Sequence, residues 1–233
     1  MGYLPIYVAM DGLRCVVVGG GAIAARKAAQ LLAAGAVVTV ISPRLGPALA
    51  AMAKAAAIVH HARKYAPGDL RGFDFAFAAS DDAGAHREIF SEARALGVML
   101  NVADSPELCD FIVPAIVRRG DLQIAVSTSG ASPAVAARIR RELEARFGYE
   151  YECTLRLMRA ARDYLFANDP ALDSRAKKLK ALAESNLTER LRDKDRAGVE
   201  RLLTAHLGAG LDALAVDPGD WFRAAPHAVA RGR

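Results

Sequence analysis

The stretch Arg14-Cys15-Val16-Val17-Val18-Gly19-Gly20-Gly21-Ala22-Ile23-Ala24 decides the fold. A β-branched run of strand length ends on three glycines, and the alanine-rich segment 22–34 behind it reads as a helix stopped by Gly35. The glycines fit G-x-G-x-x-A: Gly19 permits the tight turn, Gly21 lets a pyrophosphate approach the backbone, and Ala24 lets the helix pack closely on the strand. A helix starting there turns its N-terminal N–H groups toward an anion. Val37 to Ile41 is the next β-branched run, closed by Ser42-Pro43, so the unit predicts two parallel strands joined by a right-handed crossover.

Outward from this unit, the pattern predicts a helix over 45–54, a weaker strand over 57–60 and a buried strand over 73–79. A helix over 83–96 follows, capped by Ser80-Asp81-Asp82 and stopped by Gly97, and then a strand over 98–102. The alternation over residues 13–103 is that of an α/β protein with a Rossmann-type doubly wound parallel sheet. Strand-like runs at 111–117 and 122–127, separated by Arg118-Arg119-Gly120-Asp121, predict a hairpin outside the sheet. Ser132-Pro133 opens a helix in which Val135, Ile139, Leu143 and Phe147 recur every four residues until Gly148. From Tyr151 only helices are expected, with Tyr151, Leu155, Met158 and Leu165 on one apolar face and Val199, Leu202, Leu203 and His206 on another. The Pro-, Gly- and Arg-rich stretch 217–233 is expected to be poorly ordered. The expected division is a dinucleotide-binding domain over 1–112, a central dimerisation segment over 113–149, and a helical C-terminal domain over 150–233.

Of the 233 residues 53% are hydrophobic and 24% charged, which excludes disorder as the dominant state. The net charge of +5 is spread along the chain, which favours an anionic small ligand at least as much as nucleic acid. Cys15, Cys109 and Cys153 are odd in number and widely spaced, giving neither a disulfide framework nor a zinc motif, so a reducing, cytoplasmic compartment is expected. His60-His61 lacks a third ligand at metal spacing and His86, His206 and His227 stand alone, so no permanent metal site is expected. The N-terminus lacks a basic n-region and an apolar h-region, Ile6 fits a myristoylation signal poorly, and no apolar run approaches twenty residues. Neither secretion nor a membrane is expected.

Two positions carry open alternatives. The strand-two carboxylate that usually holds a ribose hydroxyl is replaced by Ser42, followed by Pro43 and Arg44. Arg44 is either a 2′-phosphate ligand or an ordinary loop arginine. Asp104, at the end of a sheet strand, is either a general base in the ligand crevice or the start of an Asp-Ser-Pro turn.

Several motifs carry a resemblance: Leu4-Pro5-Ile6-Tyr7, Val18-Gly19-Gly20-Gly21 with Arg26-Lys27, Ala78-Ala79-Ser80-Asp81-Asp82, Asn101-Val102-Ala103-Asp104-Ser105-Pro106, Phe111-Ile112-Val113-Pro114-Ala115, and Ser127-Thr128-Ser129-Gly130-Ala131-Ser132-Pro133. In this order and spacing, over residues 3–147, the chain resembles the precorrin-2 dehydrogenase module of siroheme synthases. Beyond Glu150 it resembles only that family's helical tail, and the sequence ends before a methyltransferase domain could follow. The resemblance implies oxidation of precorrin-2 to sirohydrochlorin with NAD⁺ and, in some members, insertion of Fe²⁺ as a substrate. It implies NAD despite Ser42, held against Gly19, Gly21, Ala22, Ile23, Pro43 and Arg44, with Ser80 and Asp81 beside them. It aligns Asp104 with the family's acid and Thr128 with a serine of the tetrapyrrole pocket. Asn101, Arg118, Arg119 and Arg138 are further candidates for the substrate, which carries eight carboxylates, although a lone surface arginine is usually only solvated. A homodimer is expected, because the apolar surface over 111–147 finds no free face on a finished sheet. The rival is a non-catalytic dinucleotide sensor acting on a partner, which needs no acid at Asp104. A short-chain dehydrogenase is disfavoured, since no Tyr-x-x-x-Lys pair follows the sheet.

Overall fold

The structure, a computed structural model, describes residues 2–216 and 221. The chain divides between Val113 and Pro114 into two compact units. In the first, β1 (Arg14–Val18), β2 (Val37–Ile41), β3 (Val59–His61), β4 (Phe75–Ala78) and β5 (Met99–Val102) form one parallel sheet in the order β3-β2-β1-β4-β5. The expected doubly wound sheet is therefore present. Val16, Val17, Val38 and Val40 are at most 2% exposed, because helices cover both faces of a parallel sheet and leave no polar side.

Helix α1 (Ala22–Leu32) lays Ala24, Ala28 and Leu31 on the sheet. Two alanines in that stripe bring the helix axis close to the strands, as the small residue closing the glycine motif requires. Helix α2 (Pro47–Lys54) begins two residues later than expected, at a first-turn proline. Helix α3 (Ala83–Leu96) has the expected limits: Asp82 accepts from Gly84 N and Ala85 N at 3.0 Å, and Gly97 closes the helix in the left-handed conformation.

The outer edge of β5 is covered by the chain that follows it. Leu100 N donates to Asp110 Oδ2 at 2.9 Å and Asp110 N to Leu100 O at 2.8 Å, while Asn101 Nδ2 donates to Phe111 O at 3.0 Å. Arg94 pairs with the second Asp110 oxygen at 2.5 Å. The expected strand over 111–117 is thus corrected. Phe111 stays with the first unit, its ring edge-on to Phe75 and Phe77 at 5.5 Å, and Pro114, which has no N–H to give a ladder, separates it from the strand proper.

In the second unit β6 (Ala115–Arg119) and β7 (Leu122–Val126) form the antiparallel hairpin, turning at Gly120-Asp121 with Gly120 at φ +53°. Helix α4 (Pro133–Arg146) starts at Ser132, whose hydroxyl accepts from Val135 N at 3.3 Å, and of its residues only Ala136 is buried. Helices α5 (Glu150–Asn168), α6 (Leu172–Glu184), α7 (Leu187–Arg192) and α8 (Arg196–Leu207) enclose a leucine-rich core. The buried stripe of α5 is Cys153, Leu157, Ala161 and Leu165, and that of α8 is Val199, Leu203 and Leu207. Leu165, Val199 and Leu203 of the expected faces lie in these stripes, whereas Tyr151, Leu155, Met158, Leu202 and His206 are only half-buried. Residues that pack on several neighbouring helices are chosen by fit as well as by period. Apart from Trp221, which is 3% exposed within this core, the expectation for 217–233 lies outside the described residues.

Candidate functional site

The strand pairing fixes where the first unit collects its polar groups. Val18 pairs with Ile41 and with Ala78, and Ala78 pairs with Val102, so four strands end on one row. The residues just beyond that row are Gly19, Ser42, Ala79 and Ala103. The sequence-predicted Gly19, Gly21, Pro43, Arg44, Ser80, Asp81 and Asp104 therefore share one end of the sheet, the carboxyl end at which open α/β folds bind ligands.

Each glycine has a distinct reason. Gly19 lies at φ +132°, and a Cβ there would collide with the Ala79 carbonyl. A Cβ on Gly20 would collide with the Arg44 carbonyl and Ser42 Oγ. That contact is structural: Gly46 N donates to Gly20 O at 2.8 Å, and Ser42 Oγ donates to Arg44 O at 2.8 Å. Ser42, 7% exposed, therefore folds the Pro43-Arg44 loop against the glycine turn in place of the missing ribose carboxylate. Gly21 meets nothing within 4 Å. It is the N-cap of α1 and offers no side chain, and the first turn holds no acidic residue. Ala22 and Ile23 are exposed at this helix start, whose N–H groups have no intrahelical acceptor. Open space, an uncapped positive helix end and the absence of a competing carboxylate suit a pyrophosphate.

Beside it, Ser80 Oγ lies 3.3 Å from Nε2 of His86, which is 8% exposed. Asp82, bonded by the Ala85 and Gly84 N–H groups, titrates below the ordinary carboxylate range. The ammonium of Lys27 on α1 lies 5.7 Å from the Phe77 ring centre, and burial, then Arg26, lowers its pKa. Asp104 is exposed at the tip of the turn after β5, with φ +58°, a left-handed conformation that Asp tolerates better than most residues. Asn101 is 8% exposed and its amide holds Phe111 O, which braces the β5 edge.

The other substrate candidates lie in the second unit. Thr128 Oγ1 donates to Ser132 O and accepts from Ser132 N, both at 3.1 Å, closing a turn that contains Ser129 at φ +52°. One lone pair of the hydroxyl remains for a ligand. The guanidinium of Arg119 donates to Glu144 O at 3.0 Å and to Arg118 O at 2.9 Å, capping the last turn of α4. Arg118 reaches Gln123 across the hairpin at 3.4 Å, and Arg138 pairs with Glu142 on its own helix, both groups 66% exposed. Among the described residues no group of three or more His, Cys, Asp or Glu is placed to hold a metal, and no helix is long and apolar enough to cross a membrane.

Two family models match the chain, one described as “Putative NAD(P)-binding” over residues 6–115 and one as “Sirohaem biosynthesis protein central” over residues 119–146. A siroheme synthase of Chromobacterium violaceum is 36% identical over 210 residues, covering 90% of this chain and 45% of the relative. Over 90% of its length the chain is thus similar to a siroheme synthase. A siroheme synthase of Methylobacillus flagellatus is 45% identical over 141 residues, covering 60% of this chain and 30% of the relative, so the chain spans under half the length of these curated siroheme synthases. Among solved structures, SirC, a precorrin-2 dehydrogenase, matches with a TM-score of 0.74 at 22% identity over 86% of this chain and 98% of that one, which shows the common fold. Residues that sequence reasoning passed over are Ser42 as a loop brace, His86 behind Ser80, and Cys109. Only Ser42 left a signal, since a serine before Pro43 at a strand end is a frequent turn former.

Proposed function

We propose that the chain oxidises precorrin-2 to sirohydrochlorin with NAD⁺. The observation that carries the proposal is the placement, on one end of a parallel sheet, of an uncapped glycine turn and an exposed carboxylate, Asp104, in a left-handed turn. When bound, the nicotinamide accepts the hydride that leaves a ring carbon of the substrate. The backbone N–H groups of Ala22 and Ile23 bind the pyrophosphate, and the Pro43-Arg44 loop, braced by Ser42, borders the nucleotide. Asp104 takes the proton that must leave the macrocycle together with the hydride, and a positioned base of this kind is worth about 10² to 10⁴ in rate. Arg118, Arg119 and Arg138 are the candidates for the substrate's carboxylates, and Asn101 and Thr128 are candidates for the tetrapyrrole itself. The three thiols, unpaired and buried, fit a reducing cytoplasm. The deciding experiment is an anaerobic assay of the purified chain with precorrin-2 and NAD⁺, read as NADH formation. A dinucleotide sensor would bind NAD⁺ yet neither form NADH nor quench sirohydrochlorin fluorescence. Asp104 is also able to accept pyrrole N–H protons one at a time, as Fe²⁺ insertion requires, so its variants are to be assayed with sirohydrochlorin and Fe²⁺ as well.

Two expected outcomes follow from the site and the second unit. NAD⁺ is preferred to NADP⁺ in kcat/KM, and Arg44→Ala leaves the NAD⁺ value within about twofold, the scale of a surface charge. A clear NADP⁺ preference that Arg44→Ala abolishes would make this arginine a 2′-phosphate ligand. The protein is a homodimer at micromolar concentration by light scattering, because α4 buries only Ala136 and leaves Val135 38% exposed. A monomeric mass removes the dimer.

A further inference from the structure

We propose that Cys109 is a positioning residue for Asp104, its sulfur holding the backbone turn from which the carboxylate projects. Val102 N donates to Cys109 Sγ at 3.2 Å, and the S–H faces Val102 O at 3.3 Å and Ser105 O at 3.4 Å. Val102 is the last residue of β5 and Ser105 the first after Asp104, so one buried atom grips the chain on both sides of the acid. Asn101 Nδ2 approaches the same sulfur at 3.6 Å, and Cys109 is 9% exposed. Ala103 N donates to Ala78 O at 2.8 Å, tying the start of the turn to β4, while Leu108 N donates to Ser105 O at 3.0 Å, closing its far side. Between these ties Asp104 reverses the chain direction alone, at φ +58°.

The residue type suits the task. A serine hydroxyl has a shorter reach and could not touch the Val102 N–H and two carbonyls from this Cβ, and an alanine would leave the Val102 N–H buried without an acceptor. Burial pushes the Cys109 thiol up from its ordinary range, so the proton it donates is kept. Exposure of the carboxylate and burial of the sulfur divide the work: Asp104 meets the substrate, and Cys109 fixes where it stands.

The proposal rests on the reading of Asp104 as general base, and the test separates the two. Cys109→Ala, Cys109→Ser, Asp104→Asn and the double variant Cys109→Ala/Asp104→Asn are assayed with precorrin-2 and NAD⁺, and their NAD⁺ affinities are measured. The expected kcat loss in Cys109→Ala is about 10- to 100-fold, the effect of a base displaced by a fraction of an ångström to one ångström. Cys109→Ser loses less, and NAD⁺ affinity stays within about twofold throughout, because the nucleotide rests on another strand end. In the Asp104→Asn background Cys109→Ala costs less than about twofold more, since residues acting as one unit are not additive. Near wild-type kcat in Cys109→Ala, or a loss that persists in full beside Asp104→Asn, overturns the positioning role. Near wild-type turnover in Asp104→Asn alone overturns the base and with it this proposal. Should the alanine variant fail to fold, the same cycle run with Cys109→Ser decides, with the corresponding outcomes.

Discussion

Asp104→Asn lowers the turnover of precorrin-2 by about 10²- to 10⁴-fold, the range for removal of a general base. The fold and NAD⁺ binding stay in place, because Asp104 is exposed and contributes nothing to the core beneath the sheet end. Asn is the informative replacement. At φ +58° a side chain that bonds its own backbone is favoured, and Asn tolerates this conformation at least as well as Asp, so the melting transition moves by less than about 0.5 kcal/mol. Asp104→Ala removes the same base but adds the cost of an alanine in the left-handed region, about 1 kcal/mol. Equal kinetic loss in the two variants, with only the alanine variant melting lower, assigns the kinetic effect to the proton and the stability effect to the turn. Near wild-type turnover at saturating precorrin-2 and NAD⁺ in Asp104→Asn makes the residue a turn former.

The second large effect separates neighbouring glycines. Gly21→Ala places a methyl group in open space, at a φ of −86° that any residue adopts, so thermal stability stays within about 0.5 kcal/mol. The same methyl group occupies the approach of the pyrophosphate to the backbone, and NAD⁺ affinity falls by at least about tenfold, or 1.4 kcal/mol. Gly20→Ala meets the Arg44 carbonyl and the Ser42 hydroxyl, so its loss is one of folding, about 3 kcal/mol for an overpacked backbone contact. Calorimetric NAD⁺ titration and thermal melts of both variants check the pair. Unchanged affinity in Gly21→Ala would move the nucleotide away from this turn.

What the sequence disclosed and what it withheld divide along physical lines. The strand, glycine turn and helix of 14–32, and the helix 83–96 between its Asp82 cap and Gly97, were legible because each limit is set by a residue with a local conformational reason. The glycines that end β1 were legible for the same cause: backbone geometry at Gly19 and Gly20 demands them. Nothing local in the sequence reveals the acceptor of Arg119, a carbonyl 25 residues away on α4. The bonds of Asn101 to Phe111 and of Cys109 to Val102 leave no trace in the sequence, since both join β5 to the chain that returns along it, a pairing without a periodic signature. Along α5 spacing by four fits several adjoining rows, and packing against the neighbouring helices selects Cys153, Leu157 and Ala161 over Tyr151, Leu155 and Met158.

The covered flank of β5 also governs how the sheet meets other chains. Its outward N–H and C=O groups are taken by Asp110, Cys109 and Asp110's own amide, so no foreign strand finds a free ladder there. The opposite flank, β3, is three residues long and offers few bonds. Such a sheet resists β-augmentation and amyloid-like stacking from either side. Conditions that peel residues 105–111 away would expose the template, and aggregation from partly unfolded protein would then begin at β5.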